Sequence, residues 1–155
     1  MSEEVLPAAP RLQPLASALE LIGTPYVRGG VTPETGFDCF TLLCYVRWHW
    51  FARPTPVPAP FPRRPLKVGL SCALMIRRVL RAPAASEDSG VWVRCEPRDG
   101  CAVALAQTRF GHLHHCGVWI DGGVLHALER VGVAWTPGGR IEAFFPRAEF
   151  YECRA

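Results

Sequence analysis

Residues 115–128 read HCGVWIDGGVLHAL, two apolar runs on either side of Asp121-Gly122. Asp-Gly between such runs signals a two-residue β-hairpin turn. If those two residues form the turn, Ile120 pairs with Gly123 and Gly117 pairs with His126. Cross-strand partners share a face, and so do residues two apart on one strand. His115 and His126 then lie diagonally on one face, with side-chain-free Gly117 beside them. A three-residue turn would put the two histidines on opposite faces. Two imidazoles on one face suit a base and a second group that orients it. Either histidine taken alone reads as a half-buried sheet residue.

Working outward, the chain from Val91 onward is strand-like. Segments 91–95, 101–106, 115–120, 123–128, 131–135, 141–145 and 149–153 are short, rich in Val, Trp, Phe and Ile, and separated by turn signals. Upstream the period changes. Apolar residues at 12, 15, 16, 19 and 22 have helical spacing that Gly23 ends, and positions 39, 43, 46 and 50 form a second helical stripe. Helices followed by a strand meander argue an α+β fold, with an antiparallel sheet of about 5–6 strands packed against the early helices. Residues 1–10 read as a flexible lead-in. Residues 53–65 are a proline-rich insert that cannot be helical, and 66–81 read as a basic amphipathic helix.

The turn-rich stretch Gly23–Val46 (GTPYVRGGVTPETGFDCFTLLCYV) enters that second helix at Asp38-Cys39. A thiol at a helix N-terminus feels the positive end of the dipole, which favours thiolate. Cys39 also lies on the apolar stripe, where a cysteine serves as a small buried hydrophobe. Cys39 with His115 and His126 would nonetheless make a nucleophile, its base and an orienting group.

At 155 residues, with 49% hydrophobic and 20% charged residues, the chain has the make-up of one globular domain rather than a disordered segment. The formal net charge of +3 is too weak to argue for nucleic acid. The longest apolar run, Leu70 to Ile76, is far short of the roughly 18 residues of a membrane span, so no membrane insertion is expected. The Met-Ser-Glu-Glu start lacks the basic and apolar regions of a secretory signal peptide, and the seven cysteines then read as reduced thiols. His112, His114, His115 and Cys116 raise the question of zinc. Yet His115 and Cys116 are adjacent in a strand and point opposite ways, and Cys39 and Cys44 fall about 140° apart on a helix. Neither pair forms a C-x-x-C knuckle. No P-loop, dinucleotide fingerprint or G-x-S-x-G elbow is present.

The motifs Gly23-Thr24-Pro25-Tyr26, Gly29-Gly30, Phe37-Asp38-Cys39, His115-Cys116-Gly117-Val118 and Leu125-His126-Ala127 occur in the order found in NlpC-type papain-like cysteine peptidases, which cleave peptidoglycan stem peptides. Pro97-x-Asp99-Gly100 looks like the family's G-D segment. The resemblance spans roughly 12 to 153 and implies a single peptidase domain over 1–155. By position it makes Cys39 the nucleophile, His115 the general base and His126 the orienting residue. Tyr26 and the Cys39 backbone N–H would stabilise the oxyanion, and Asp38 and Phe40 would lie on the substrate side. It implies no cofactor and no metal. The family usually continues D-C-S-G, whereas this chain has Phe40-Thr41. A bulky residue there and a proline-rich insert resemble the phage tail-associated branch. That branch implies synthesis in the cytoplasm without a signal peptide, association with tail-tip proteins of a virion, and action on the cell wall. The alternative expectation is a phage tail assembly protein that keeps the fold without activity.

Overall fold

A two-residue turn forces its neighbours into register, and the chain obeys. In the computed structural model Ile120 pairs with Gly123, and Asp121 and Gly122 both take positive φ, 50° and 76°. The structure describes residues 15–55 and 91–154. The lead-in, most of the proline-rich insert and the helix expected over 66–81 lie outside the described residues.

The first described element is a short helix, α1 (Leu15–Ala18), continued by a 3-10 turn, Leu19–Leu21. Gly23, at φ +92°, ends it. Where only a turn-rich stretch is expected, a small hairpin forms from β1 (Val31–Thr32) and β2 (Gly36–Phe37). The Thr35 hydroxyl accepts from the Val31 and Thr32 backbone N–H groups and shapes its turn. Helix α2 (Cys39–Phe51) follows, where the apolar stripe places it.

Six strands then form one antiparallel sheet: β3 (Val91–Arg94), β4 (Ala102–Ala106), β5 (His115–Ile120), β6 (Gly123–Leu128), β7 (Gly132–Pro137) and β8 (Arg147–Arg154). The fold is α+β, with strand order β3-β8-β4-β5-β6-β7. β4 to β7 meander as expected, but β8 returns to pair with both β3 and β4. The segment 141–145, read as a strand from its Ile and Phe content, is instead helix α3 (Ile141–Phe144), preceded by a 3-10 turn, Gly138–Arg140. Its burial explains the correction. Ile141 and Phe145, four apart, are buried together while Phe144 is 64% exposed, a helical period rather than an alternating one.

The sheet separates two apolar layers. Cys116, Val118 and Ile120 of β5 pack with Leu125, Ala127 and Val133 against Leu42, Leu43, Val46 and Trp50 of α2. On the other face Val103, Leu105 and Val124 pack with Ile141 and Phe145.

Arg47 fixes the far end of α2. It is 1% exposed, donates to the Gly100 carbonyl (2.6 Å), Glu152 (3.1 Å) and the Thr55 hydroxyl (3.0 Å), and lies 5.1 Å from the Trp92 ring centroid. Breaking an isolated buried ion pair costs about 3–5 kcal/mol. Glu152 keeps Arg53 at 2.7 Å, so Arg47→Met should cost somewhat less, about 2–3 kcal/mol by urea unfolding. Arg53→Ala, at a 44% exposed side chain, should cost under about 1 kcal/mol. Equal losses would show that the buried arginine is not the anchor.

Candidate active site

The register set by the Asp121-Gly122 turn carries the two histidines together. His115 Nε2 and His126 Nδ1 are 2.9 Å apart, and both rings are buried. The turn is itself held from outside, since Asp99 accepts from the Asp121 N–H (2.8 Å) and the Gly100 N–H donates to the Trp119 carbonyl (2.9 Å). Gly117 is required for the approach. A Cβ there would fall 2.6 Å from Val124 Cγ1, 2.8 Å from the Leu125 carbonyl oxygen and 3.0 Å from His126 Cβ.

Two residues that sequence reasoning missed complete this cluster. His126 Nε2 lies 2.9 Å from Thr136 Oγ1. The Phe145 ring stacks on His115 with centroids 5.2 Å apart and planes 16° from parallel, and it meets His126 at a steep angle. Thr136 lay one residue beyond the strand expected over 131–135. Phe145 was hidden by reading a short helix as a strand; the i, i+4 spacing of Ile141 and Phe145 was the available signal.

Burial is the main reason that His115 is pushed down to about 3, with His126 and then His114 adding to it; burial alone pushes His126 down to about 4. Both imidazoles are therefore neutral near pH 7, and each can accept a proton only where a compensating negative charge forms beside it.

Cys39 opens α2. Asp38 caps the helix, accepting from the Phe40 and Thr41 N–H groups, while the Thr41 hydroxyl accepts from the Asp38 N–H in a reciprocal capping box. The second Asp38 oxygen accepts from the Gly29 N–H at 2.9 Å, pinning the glycine-rich loop against the helix start. Cys39 is 2% exposed and belongs to the α2-facing core; Tyr26 and Phe40 are partly buried against the same cluster. The Tyr26 hydroxyl oxygen is buried.

Two ties orient this helix start relative to the histidines. The α2 C-terminal half is held at Gly100, beside Trp119 and hence at the turn end of β5. Arg47 lies eight residues along the helix from Cys39, about 12 Å away. The second tie is a backbone relay. Val133, which pairs with Ala127, exchanges hydrogen bonds with Gly23 and Thr24, and Phe37 does so with Pro25 and Val27. The segment Gly23–Val27 thus links the strand beside His126 to the residue two before Cys39.

The remaining candidates diverge. His112 is exposed, His114 Nε2 accepts from the Gln107 N–H at 3.2 Å, and Cys116 points into the α2-facing core, away from its neighbour His115. Among the described residues no group of three or more His, Cys, Asp or Glu is gathered as metal ligands would be.

No protein-family model matches the chain. No curated protein matches it significantly. Among solved structures it is similar to the NlpC/p60 domain of the peptidoglycan hydrolase SagA, with 20% identity and a TM-score of 0.48 over 88% of this chain and 92% of that one. It is also similar to a lipoprotein-like NLP/P60 family protein of Staphylococcus aureus, with 16% identity and a TM-score of 0.46 over 93% of this chain. This chain spans 44% of that protein's length. Likeness at this level says nothing of the chemistry.

Gly117→Ala should destabilise the fold by about 1–3 kcal/mol, as overpacking does, and should separate the two imidazoles. Unfolding together with histidine NMR shifts would register both; an unperturbed pair would contradict the close-approach argument. The lowered histidine pKa values also set a pH dependence. Between about 4 and the ordinary 6.5 the unfolded chain binds more protons than the folded one, so stability falls as pH drops through that window. The fall should be shallower in a His115→Gln/His126→Gln double variant, measured by urea midpoints from pH 7 to pH 4. Parallel curves would mean that the pair is not buried neutral.

Proposed function

We propose that the chain is a cysteine endopeptidase that hydrolyses amide bonds in peptidoglycan stem peptides, using Cys39, His115 and His126. The observation that carries this is the 2.9 Å contact between His115 Nε2 and His126 Nδ1. It engages one nitrogen of His115 and leaves Nδ1 for a thiol; His115 opens β5 and stacks on Phe145 in the layer opposite α2, so the Cys39 thiol would meet it around the end of that strand. The motif order supplies the substrate class.

In this reading His115 Nδ1 takes the Cys39 thiol proton as sulfur attacks the amide carbonyl. The developing oxyanion is met by the Cys39 backbone N–H and the Tyr26 hydroxyl, and the helix dipole favours the negative charge. Collapse of the tetrahedral intermediate breaks the C–N bond. The amine leaves with the proton from His115, and a water activated by the same imidazole hydrolyses the thioester. His126 holds the His115 ring. Asp38 acts on the substrate side through the Gly29 loop it fixes, and Phe40 shapes that wall. The bulky Phe40 and the proline-rich insert support placing the protein with phage or prophage tail-tip partners that bring it to the cell wall.

A second reading is favoured by one observation. Cys39 is 2% exposed and Phe40 packs on the same core, as in a tail assembly protein that keeps the fold without activity. Digestion of purified peptidoglycans of different cross-link types, with mass spectrometry of the fragments, separates the two. The peptidase reading predicts stem-peptide cuts by the wild type and at least about 10³-fold fewer with Cys39→Ala. His126→Ala should retain partial activity, more than His115→Ala does, because an orienting group is less essential than the base. No cuts by the folded wild type would leave the assembly reading.

A further inference from the structure

Thr136 reaches His126 from the neighbouring strand. It pairs with Val124, two residues along from the His126–Ala134 pair, and so shares a face with His126. His115, His126 and Thr136 form one continuous array across β5, β6 and β7, with both links at 2.9 Å. His126, at its centre, is 1% exposed, so its ring nitrogens depend on these partners.

Protons can run along the array in two directions. A neutral imidazole has one N–H and one bare nitrogen, and a hydroxyl can donate or accept. In one direction the threonine hydroxyl donates to His126 Nε2, His126 Nδ1–H donates to His115 Nε2, and the His115 proton sits on Nδ1. In the other, His115 Nε2–H donates to His126 Nδ1, and His126 Nε2–H donates to the threonine oxygen. His115 Nδ1 is then a bare lone pair. Protonated His115 carries a hydrogen on both nitrogens, so His126 Nδ1 must accept. The His126 proton is then on Nε2, where the acceptor at hand is Thr136 Oγ1. A buried N–H left without an acceptor is strongly disfavoured.

We propose that Thr136 is a positioning residue that accepts from His126 Nε2–H and so holds His126 in the tautomer presenting a bare Nδ1 to His115. The half-buried threonine can give its own hydrogen to water. Its effect on His115 passes through His126. The catalytic consequence rests on the peptidase reading, whereas the tautomer is a property of the folded chain.

The test is long-range 1H–15N NMR of the full chain with labelled histidine, comparing wild type, the near-isosteric Thr136→Val and the hydroxyl-retaining Thr136→Ser. The wild type and Thr136→Ser should show His126 as the Nε2–H tautomer, and Thr136→Val should move it toward Nδ1–H. Peptidoglycan cleavage should fall about 2–10-fold in Thr136→Val, the worth of one net hydrogen bond, and recover in Thr136→Ser. His126 as Nδ1–H in the wild type, or an unchanged Nε2–H population in folded Thr136→Val, would overturn the assignment. The expected tautomers in a wild type that cuts nothing would support the Thr136 assignment and overturn the peptidase reading alone.

Discussion

A two-residue turn permits one parity only, and the rest of the site depends on it. With Asp121 and Gly122 as the sole loop residues, Trp119 faces Val124 and every second residue of β5 and β6 is committed to one layer. Cys116, Val118, Ile120, Leu125 and Ala127 go to the α2 core. His115, Gly117, Val124 and His126 go to the other face, where Phe145 and Thr136 meet them. One inserted residue would send one histidine into the α2 core and destroy the pair. The bond from Asp99 to the Asp121 N–H and the close contact at Gly117 are best understood as guards on that register.

The second constraint is how α2 is held. Arg47 fixes its C-terminal half to Gly100 and Glu152, the Asp38–Thr41 capping box fixes its first turn, and the Gly23–Val27 segment ties that turn to β7. A helix held near both ends keeps its first residue in place relative to the sheet, the preorganisation that the proposed nucleophile and base would need. Burial of the histidines has a parallel effect. It keeps them neutral, so that in the proposed chemistry charge would appear on His115 only as the adjacent anion forms.

Much of this was legible in residue order. Alternation and the Asp-Gly signal set β5, β6 and the histidine diagonal; the apolar stripe and Asp38 set α2. What escaped depended on long-range pairing. β8 inserts between β3 and β4, and no local pattern encodes that choice over a simple meander. Ile141–Phe144 was misread because Ile and Phe favour strands when their spacing is ignored. Thr136 matters through a partner ten residues away, and Arg47 through Gly100 and Glu152. An arginine four residues after Leu43 and three before Trp50, on the same helical face as the apolar stripe, was an available sign of that anchor.

The central claim is that Cys39 is a thiol activated by His115 although it is nearly covered. Competitive alkylation with iodoacetamide at pH 7, read by mass spectrometry at each of the seven cysteines in wild type and His115→Ala, tests it most directly. The account predicts that Cys39 reacts fastest in the folded wild type and drops to the rate of the buried thiols when His115 is removed. A Cys39 that is as slow as Cys101 and Cys116 in the wild type, or whose rate ignores His115, would contradict it.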